Sequence, residues 1–276
     1  MHADQFFAYT KSAPFTVYTY ETNVMGTVNI CEAVRQSDSV KSFLNVTTDK
    51  VYRNTERQEG YREDEQLDGF DPYSNSKSCS ELVTHSYNNS FFMEKKIAAS
   101  TARAGNVIGG GDFARDRIIP DCVRATMDGR PITLRNPDSV RPFQHVLEPL
   151  SAYLLILQKQ CEDRKYADSY NVGPSDGDCI TTAQLAELFC NEWNSLNKPG
   201  KMPMEAFWTV QKEENAPHEA GLLRLDSTKI RSVLSWNPKW DSKLAVKKTT
   251  EWYRAFADRE DLKSVSEAQI REYFGS

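Results

Sequence analysis

Tyr73 and Lys77 are the residues whose types and spacing first suggest chemistry, since they stand four positions apart in the segment YSNSK. Residues at this spacing share one face of a helix. A Lys ammonium beside a phenol lowers the pKa of the phenol, so that Tyr can accept a proton near neutral pH. The same spacing is also typical of a solvated helix surface, so the surrounding sequence has to decide between the two interpretations.

A second polar group stands upstream, where the segment Thr47-Thr48-Asp49-Lys50 ends the β-rich run FLNVTT. The carboxyl ends of the strands in a parallel sheet face the ligand crevice. If the run is such a strand, hydroxyls, a carboxylate and an amine line the same crevice as Tyr73. The two segments together therefore favour an active site over a surface pair.

These segments have a specific resemblance. TTDKVY followed by DPYSNSK resembles the active-site signature of the extended short-chain dehydrogenases that act on nucleotide sugars. Further segments resemble the same family in the same order over nearly the whole chain: ETNVMGTVNICEAVR, RAGNVIGGGD, RPFQHV, YNVGP and LRLDSTKIRSVLSWNPKW. Within the family, the chain is most similar to the CDP-glucose 4,6-dehydratase type, which has Lys at the position of Lys50 where most sugar-nucleotide 4,6-dehydratases have Glu.

The resemblance implies an NAD-dependent lyase that converts a nucleotide-activated hexose, CDP-glucose above all, to its 4-keto-6-deoxy form. In this reaction the sugar is oxidised at C4, water is lost across C5 and C6, and hydride returns to C6. Tyr73 would accept the 4-hydroxyl proton with help from Lys77 and Thr48. Asp49 would be the acid of the elimination, and Lys50 would be its base.

The remaining site residues also follow from the resemblance. Thr47, Tyr73, Lys77 and Arg103 would contact NAD, and Asn106, Arg141 and His218 would contact the substrate. Arg141 is equally interpretable as a surface Arg, and a His such as His218 is more often a structural residue than a catalyst. The six cysteines lack zinc-ligand spacing, so no metal is expected.

Composition limits the other partners. A net charge of -5 argues against nucleic acid, and the longest apolar run, AYLLIL, is too short to span a bilayer. We expect a cytoplasmic protein without a secretory signal, and a homodimer in the full-length form of the family.

The elements that must position these residues alternate between strands and helices. Spacing and capping residues predict helices over Val17–Gln36, Tyr73–Met93, Ile118–Met127, Glu148–Gln160, Thr181–Asn194, Asp226–Leu234 and Asp241–Phe256, and strands over Phe43–Thr48, Ile97–Arg103, Pro131–Leu134 and Ser169–Val172. Residues 198–217 appear irregular by pattern. Such alternation predicts an α/β fold with a doubly wound, Rossmann-like parallel sheet.

We expect two domains. Residues 1–111, with returning segments near 142–173, would form a partial NAD-binding core that carries the catalytic residues. Residues 112–141 and 174–276 would form a smaller lobe for the nucleotide sugar.

The resemblance fails at one point. The family's GxxGxxG turn, which sets the NAD pyrophosphate on a helix N-terminus, has no counterpart here, because the glycines of GNVIGGGD follow the Tyr-Lys helix. The first residues resemble the end of the family's fourth strand, so we expect an N-terminally truncated chain with an incomplete sheet and poor NAD binding. Two alternatives stay open: a nucleotide-sugar epimerase or decarboxylase, which Lys50 disfavours, and a non-catalytic homologue that binds a nucleotide sugar or pairs with a full-length subunit.

Overall fold

A computed structural model describes residues 16–175, 177–197, 204–210 and 223–275. The chain divides into two compact units. The first consists of Met1–Gly105, Pro149–Gly173 and Leu223–Asn237, and the second of Asn106–Glu148, Pro174–Leu222 and Pro238–Ser276.

A parallel sheet of three strands organises the described part of the first unit, in the order β1-β2-β7. The strands are β1 (Ser42–Val46), β2 (Ala98–Ala104) and β7 (Ser169–Val172). Phe43 pairs with Ala99, and Thr101 pairs with Ser169. The predicted parallel pairing of the first two strands is therefore confirmed.

Helices cover both faces of this sheet. On one face lie α1 (Thr16–Tyr20), which continues through a π-helical turn (Glu21–Met25) into α2 (Gly26–Gln36), and α3 (Pro72–Tyr87), which continues into a π-helical turn (Asn88–Phe92). On the other face lie α5 (Leu147–Glu162), almost all of which belongs to this unit, and α7 (Thr228–Leu234).

The alternation of side chains along the strands explains this double covering, because successive strand residues point to opposite faces. Phe43 and Ala99 pack with Cys31 of α2. Leu44 and Ala102 pack instead with Ile156 of α5. The Rossmann-like doubly wound arrangement predicted from the sequence is confirmed for the strands that the chain contributes.

The second unit has short strand pairs and a helical core. Its strands are β3 (Val107–Ile108) with β6 (Gln144–His145), β4 (Ile132–Leu134) with β9 (Trp208–Val210), and β5 (Val140–Arg141) with β8 (Ile180–Thr181); the last pair is antiparallel. Its helices are α4 (Ile118–Met127), α6 (Thr182–Ser195), α8 (Ser242–Ala257) and α9 (Leu262–Phe274). Phe189 and Trp193 of α6 pack against Val246 and Tyr253 of α8 in the core.

The observed units differ from the expected domains at their boundaries. Residues 106–111 and 142–148 lie in the second unit, and residues 223–237 lie in the first. The reason for the second difference is that Ile230 and Leu234 of α7 pack against Tyr170 of β7. This long-range contact leaves no mark in the local sequence pattern.

The predicted bounds of two elements need correction, and one helix was not predicted. β9 lies inside the stretch interpreted as irregular, because its partner β4 is distant in sequence. Helix α7 begins after Ser227 rather than Asp226, although the Asp226 carboxylate still accepts the Thr228 N–H at 2.8 Å. Helix α9 was not predicted, and only Gln269 and Tyr273 of it are buried.

Among the helices of the described ranges, none combines the length and the apolar character that a bilayer-spanning segment needs.

The predicted start of α6 is confirmed in detail and allows a stability test. Thr181 Oγ1 accepts the Gln184 N–H at 3.1 Å, and the Gln184 side chain accepts the Thr181 N–H at 2.8 Å. We expect Thr181→Ala to lower the free energy of unfolding by about 1 kcal/mol, because it leaves a helix N–H without its acceptor. Urea unfolding followed by tryptophan fluorescence measures this. The exposed Glu187→Ala in the same helix is the control and should change stability by less than about 0.5 kcal/mol; equal effects would contradict the capping role.

Candidate active site

Helix α3 carries Tyr73 and Lys77 and is placed by its own N-terminal sequence. Asp71 caps the helix by accepting the Ser74 N–H at 3.0 Å, and Pro72 occupies the first turn. Pro is well suited there, because its missing N–H would have no helical partner. Tyr73 and Lys77 are both more than nine-tenths buried, so they do not form the solvated surface pair of the alternative interpretation.

Hydrogen bonds attach α3 to the segment that ends β1. Thr47 Oγ1 donates to the Glu81 carboxylate, and Ser78 Oγ donates to the Val51 carbonyl at 2.8 Å. Because Ser78 follows Lys77 directly, the Tyr-Lys helix and residues 47–51 lie side by side.

The turn after β1 holds Thr48 and Asp49 in a buried position. Residues Asp49–Val51 form one 3₁₀ turn, and the side chain of Thr48 caps it by accepting the Lys50 N–H at 3.4 Å. Thr48 Oγ1 also donates to Asp49 Oδ1 at 3.0 Å. Asp49 is 2% exposed, whereas Lys50 is only half-buried. The turn therefore fixes a hydroxyl and a carboxylate together beside α3.

Burial changes the protonation of Lys77. Loss of hydration lowers the pKa of Lys77 to about 8, and the Glu81 carboxylate opposes this fall. An amine with this pKa still carries its charge at neutral pH, but it loses the charge within the next pH units. Lys77 can therefore support a proton transfer by Tyr73 electrostatically.

The π-helical turn Glu21–Met25 also contacts α3 and helps to position it. Asn23 is buried in this turn, and its Nδ2 donates to Ser76 Oγ at 3.0 Å. Ser76 Oγ in turn donates to the Tyr73 carbonyl at 2.7 Å. These two hydrogen bonds connect the π-helical turn to the residue before Lys77.

Arg103 has a different environment from the one expected. Its Nε and Nη2 each donate to the Glu81 carboxylate at 3.0 Å, and its Nη1 donates to Tyr52 Oη at 2.6 Å and to the Glu63 carbonyl at 3.1 Å. The guanidinium is thus engaged within the chain. The contact of Arg103 with NAD stays a prediction, and the structure shows that its guanidinium is bound to α3 through Glu81.

Glu81 was missed by the sequence reasoning. Its position four residues after Lys77 was the available signal, since it shares the helix face of Tyr73 and Lys77. Tyr52, whose hydroxyl donates to Asn171 Oδ1 at 2.7 Å, had no such signal, because its partners are distant in sequence.

The expected substrate residues lie in the second unit or outside the described ranges. The Asn106 carbonyl accepts the Gln144 N–H at 2.9 Å. Arg141 is buried on β5, and its Nη1 donates to the Val140 carbonyl at 3.0 Å. His218 lies outside the described residues.

The glycine cluster has a packing reason. A side chain on Gly110 would collide with the ring of Trp252, and one on Gly109 would approach Val146 to 2.7 Å. Gly109 and Gly110 therefore allow close packing against Val146 and Trp252.

Comparison with known proteins identifies the family. The model of the GDP-mannose 4,6 dehydratase family matches residues 9–249. The chain belongs to this family. It is 40% identical to the CDP-glucose 4,6-dehydratase of Salmonella typhimurium over 266 residues, which cover 94% of this chain and 71% of that enzyme.

Solved structures share the fold. The dTDP-glucose 4,6-dehydratase of Bacillus anthracis, in complex with NAD, matches with a TM-score of 0.70 at 22% identity, over 91% of this chain and 72% of that one. The UDP-glucose 4-epimerase of Thermotoga maritima, with UDP-glucose, matches with a TM-score of 0.69 at 18% identity, over 87% and 72%. The predicted family and fold are therefore confirmed, while the fold is common to dehydratases and epimerases.

Proposed function

We propose that this chain carries the catalytic part of a nucleotide-sugar 4,6-dehydratase whose substrate is CDP-glucose. The observation that supports this most directly is the side-by-side burial of the Tyr73–Lys77 helix and the Thr48–Asp49 turn, together with Lys50 in that turn. The 40% identity to a CDP-glucose 4,6-dehydratase supports the choice of the nucleotide.

NAD is the cofactor in this proposal, and the first unit fits one half of it. Thr47, Tyr73 and Lys77 are buried polar side chains at the carboxyl end of β1, where a parallel sheet binds ligands. We assign the nicotinamide half to them, and we assign Arg103 a supporting role behind them. When bound, NAD takes hydride from the sugar C4 and returns it to C6.

The residues of the chain divide the proton transfers. Tyr73 accepts the proton of the 4-hydroxyl, and the Lys77 ammonium stabilises the phenolate. The ketone at C4 acidifies the C5 hydrogen, which Lys50 removes. Asp49 protonates the departing 6-hydroxyl, so that water leaves. In this division Thr48 hydrogen-bonds the 4-hydroxyl, and Asn106, Arg141 and His218 bind the substrate phosphates.

The division of the proton transfers between Tyr73 and Lys50 predicts different effects for substitutions at these two residues. In a form of the protein that carries a GxxGxxG segment ahead of these residues, Tyr73→Phe should abolish oxidation at C4, with a loss of about 10²–10⁴ in rate. Lys50→Ala should keep the oxidation but block the loss of water. Single-turnover absorbance of reduced nicotinamide measures the first step, and mass spectrometry of the sugar nucleotide measures dehydration. Exposed Lys41→Ala is the control. Unchanged dehydration in Lys50→Ala would exclude this Lys as the base, and interconversion of 4-hydroxyl stereochemistry without dehydration would favour an epimerase.

Binding by the 276 residues themselves gives a second test. The pyrophosphate half of NAD is bound in this family by a glycine-rich turn, and no GxxGxxG occurs in the sequence. Each lost charge-assisted hydrogen bond is worth about 1.5–3 kcal/mol, so we expect NAD binding weaker by roughly three orders of magnitude than in a chain with that turn. We expect CDP-glucose to bind better than NAD in calorimetry. Micromolar NAD binding with turnover would contradict this prediction. Binding of neither NAD nor CDP-glucose would favour a non-catalytic homologue that does not bind this nucleotide sugar.

We further propose that the protein forms a homodimer through α1, α2 and α3. These helices and the π-helical turn between α1 and α2 expose Val17, Met25, Ile30 and Leu82, each more than half exposed. Neighbouring exposed apolar side chains mark interaction surfaces, and a two-fold pairing buries the same surface of both copies.

A charge in this surface tests the homodimer. We expect Ile30→Glu to give a monomer in sedimentation velocity. In a two-fold interface, the substitution would bury one unpaired carboxylate from each copy. Val233→Glu, an exposed position on α7 of the same unit, should leave the dimer intact. A monomeric unaltered chain at all concentrations would reject the proposal.

A further inference from the structure

Three ionisable side chains follow one another along the buried face of α3. Tyr73, Lys77 and Glu81 are spaced four residues apart, and each is less than 9% exposed. Residues at this spacing are direct neighbours on a helix. The Glu81 carboxylate therefore lies one turn from the Lys77 ammonium and two turns from the phenol.

The carboxylate of Glu81 is bound by a cation, the guanidinium of Arg103. Arg103 on β2 donates to both carboxylate oxygens at 3.0 Å, and both side chains of this ion pair are at most 3% exposed. The same carboxylate accepts the Thr47 hydroxyl at the end of β1. The helix, the first strand and the second strand thus meet at one carboxylate.

Arg103 is itself held by a polar chain. Its Nη1 donates to Tyr52 Oη, and Tyr52 Oη donates to Asn171 of β7. Asn171 Nδ2 donates to the carbonyls of Tyr61 and Asp226 at 2.8 and 3.1 Å. This network fixes the guanidinium against the Glu81 carboxylate.

We propose that Glu81, held by Arg103, is a positioning residue that keeps the Lys77 ammonium charged and fixes the Thr47 hydroxyl beside it. The inference rests on the proposed function of Tyr73 and Lys77 and deepens it. Glu81 touches neither substrate nor cofactor in this role; it acts through Lys77 and Thr47.

The physical reason is a balance between desolvation and charge. Burial lowers the pKa of Lys77 to about 8, and the Glu81 carboxylate raises it against that effect. Arg103 holds this carboxylate in place, because its guanidinium donates to both oxygens.

Other charged groups around Lys77 do not replace Glu81. From the turn after β1 comes Asp49, which accepts the Thr48 hydroxyl, and Lys50. The π-helical turn contributes the neutral Asn23. Glu32 of α2 is bound to Arg35 and accepts the Tyr87 hydroxyl at the other end of α3. From β2 comes Arg103 itself.

The titration of Lys77 tests the proposal without any need for turnover. In the 276-residue chain labelled with ¹³C-lysine, the Lys77 ¹³Cε signal is assigned by its loss in Lys77→Met and followed against pH. We expect Glu81→Gln to lower the pKa of Lys77 by about one unit, the lower end of the effect of a neighbouring opposite charge. At pH 7.5 the charged fraction would fall from about three quarters to about one quarter.

A purely structural role for Glu81 would lower stability without moving this titration. Glu148→Gln is the matched control, because Glu148 is a buried carboxylate of the second unit that accepts the Tyr273 hydroxyl at 2.8 Å. This control should lose stability and keep the Lys77 titration unchanged. An unchanged pKa of Lys77 in folded Glu81→Gln would overturn the proposal.

A second variant keeps the test decisive if Glu81→Gln does not fold. The double variant Glu81→Gln with Arg103→Met removes both charges, so it leaves no buried charge unpaired. We expect its Lys77 pKa to lie below that of the unaltered chain, and an unchanged value would again overturn the proposal. A lowered value, together with no dehydration of CDP-glucose by the form that carries a GxxGxxG segment, would support the role of Glu81 and reject the proposed function, so the two failures are distinguishable.

Discussion

The carboxylate of Glu81 connects the helix that carries Tyr73 and Lys77 to the sheet on which it rests. One oxygen accepts from both Thr47 and Arg103, and the other accepts from Arg103. Breaking a buried ion pair by removing one partner costs about 3–5 kcal/mol, because the other charge is left without compensation. The helix cannot shift along the strands without breaking this pair, so the register of the Tyr-Lys pair against Thr47–Asp49 depends on it.

The rest of the interface between α3 and the sheet is built from small hydroxyl side chains rather than apolar ones. Ser74, Ser76, Ser78, Ser80 and Thr84 are all buried on this helix. Each has a partner: for example, Asn45 of β1 donates to Ser80 Oγ at 2.9 Å and to Thr84 Oγ1 at 2.8 Å. Buried hydroxyls are tolerated only when such hydrogen bonds are made. A polar interface of this kind allows a Lys and a Tyr to be buried beside it, because the surroundings already offer fixed dipoles.

Local sequence was enough to predict most of the elements. Spacing and capping residues indicated the helices that became α3 and α6, and the run FLNVTT indicated β1. These signals act within a few residues of each other, so they can be seen in the sequence. β9 and the membership of α7 in the first unit depend on partners far away in the chain, and no local pattern encodes them.

The same distinction applies to the candidate site. Residue types and one resemblance pointed to Thr48, Asp49, Tyr73 and Lys77, and these residues lie on adjoining elements. The spacing of Glu81 was visible in the sequence, but its importance was not, because a Glu at this position is equally suited to a solvated helix face. Only the packing of β2 against α3 shows that Arg103 forms a buried ion pair with it.

The fold alone leaves the reaction open, since a dehydratase and an epimerase match this chain with TM-scores of 0.70 and 0.69. Both reactions begin with the same removal of a proton and a hydride, for which a Tyr and a Lys on one helix face suffice. Elimination of water needs an additional acid and base near C5 and C6, and an epimerase has no use for them. In the proposed function, the turn Thr48-Asp49-Lys50 supplies both groups from three consecutive residues; the structure buries its carboxylate and leaves its Lys side chain half-buried. Specificity for dehydration is therefore best sought in this short turn. The resemblance implies that other sugar-nucleotide dehydratases have Glu at the position of Lys50.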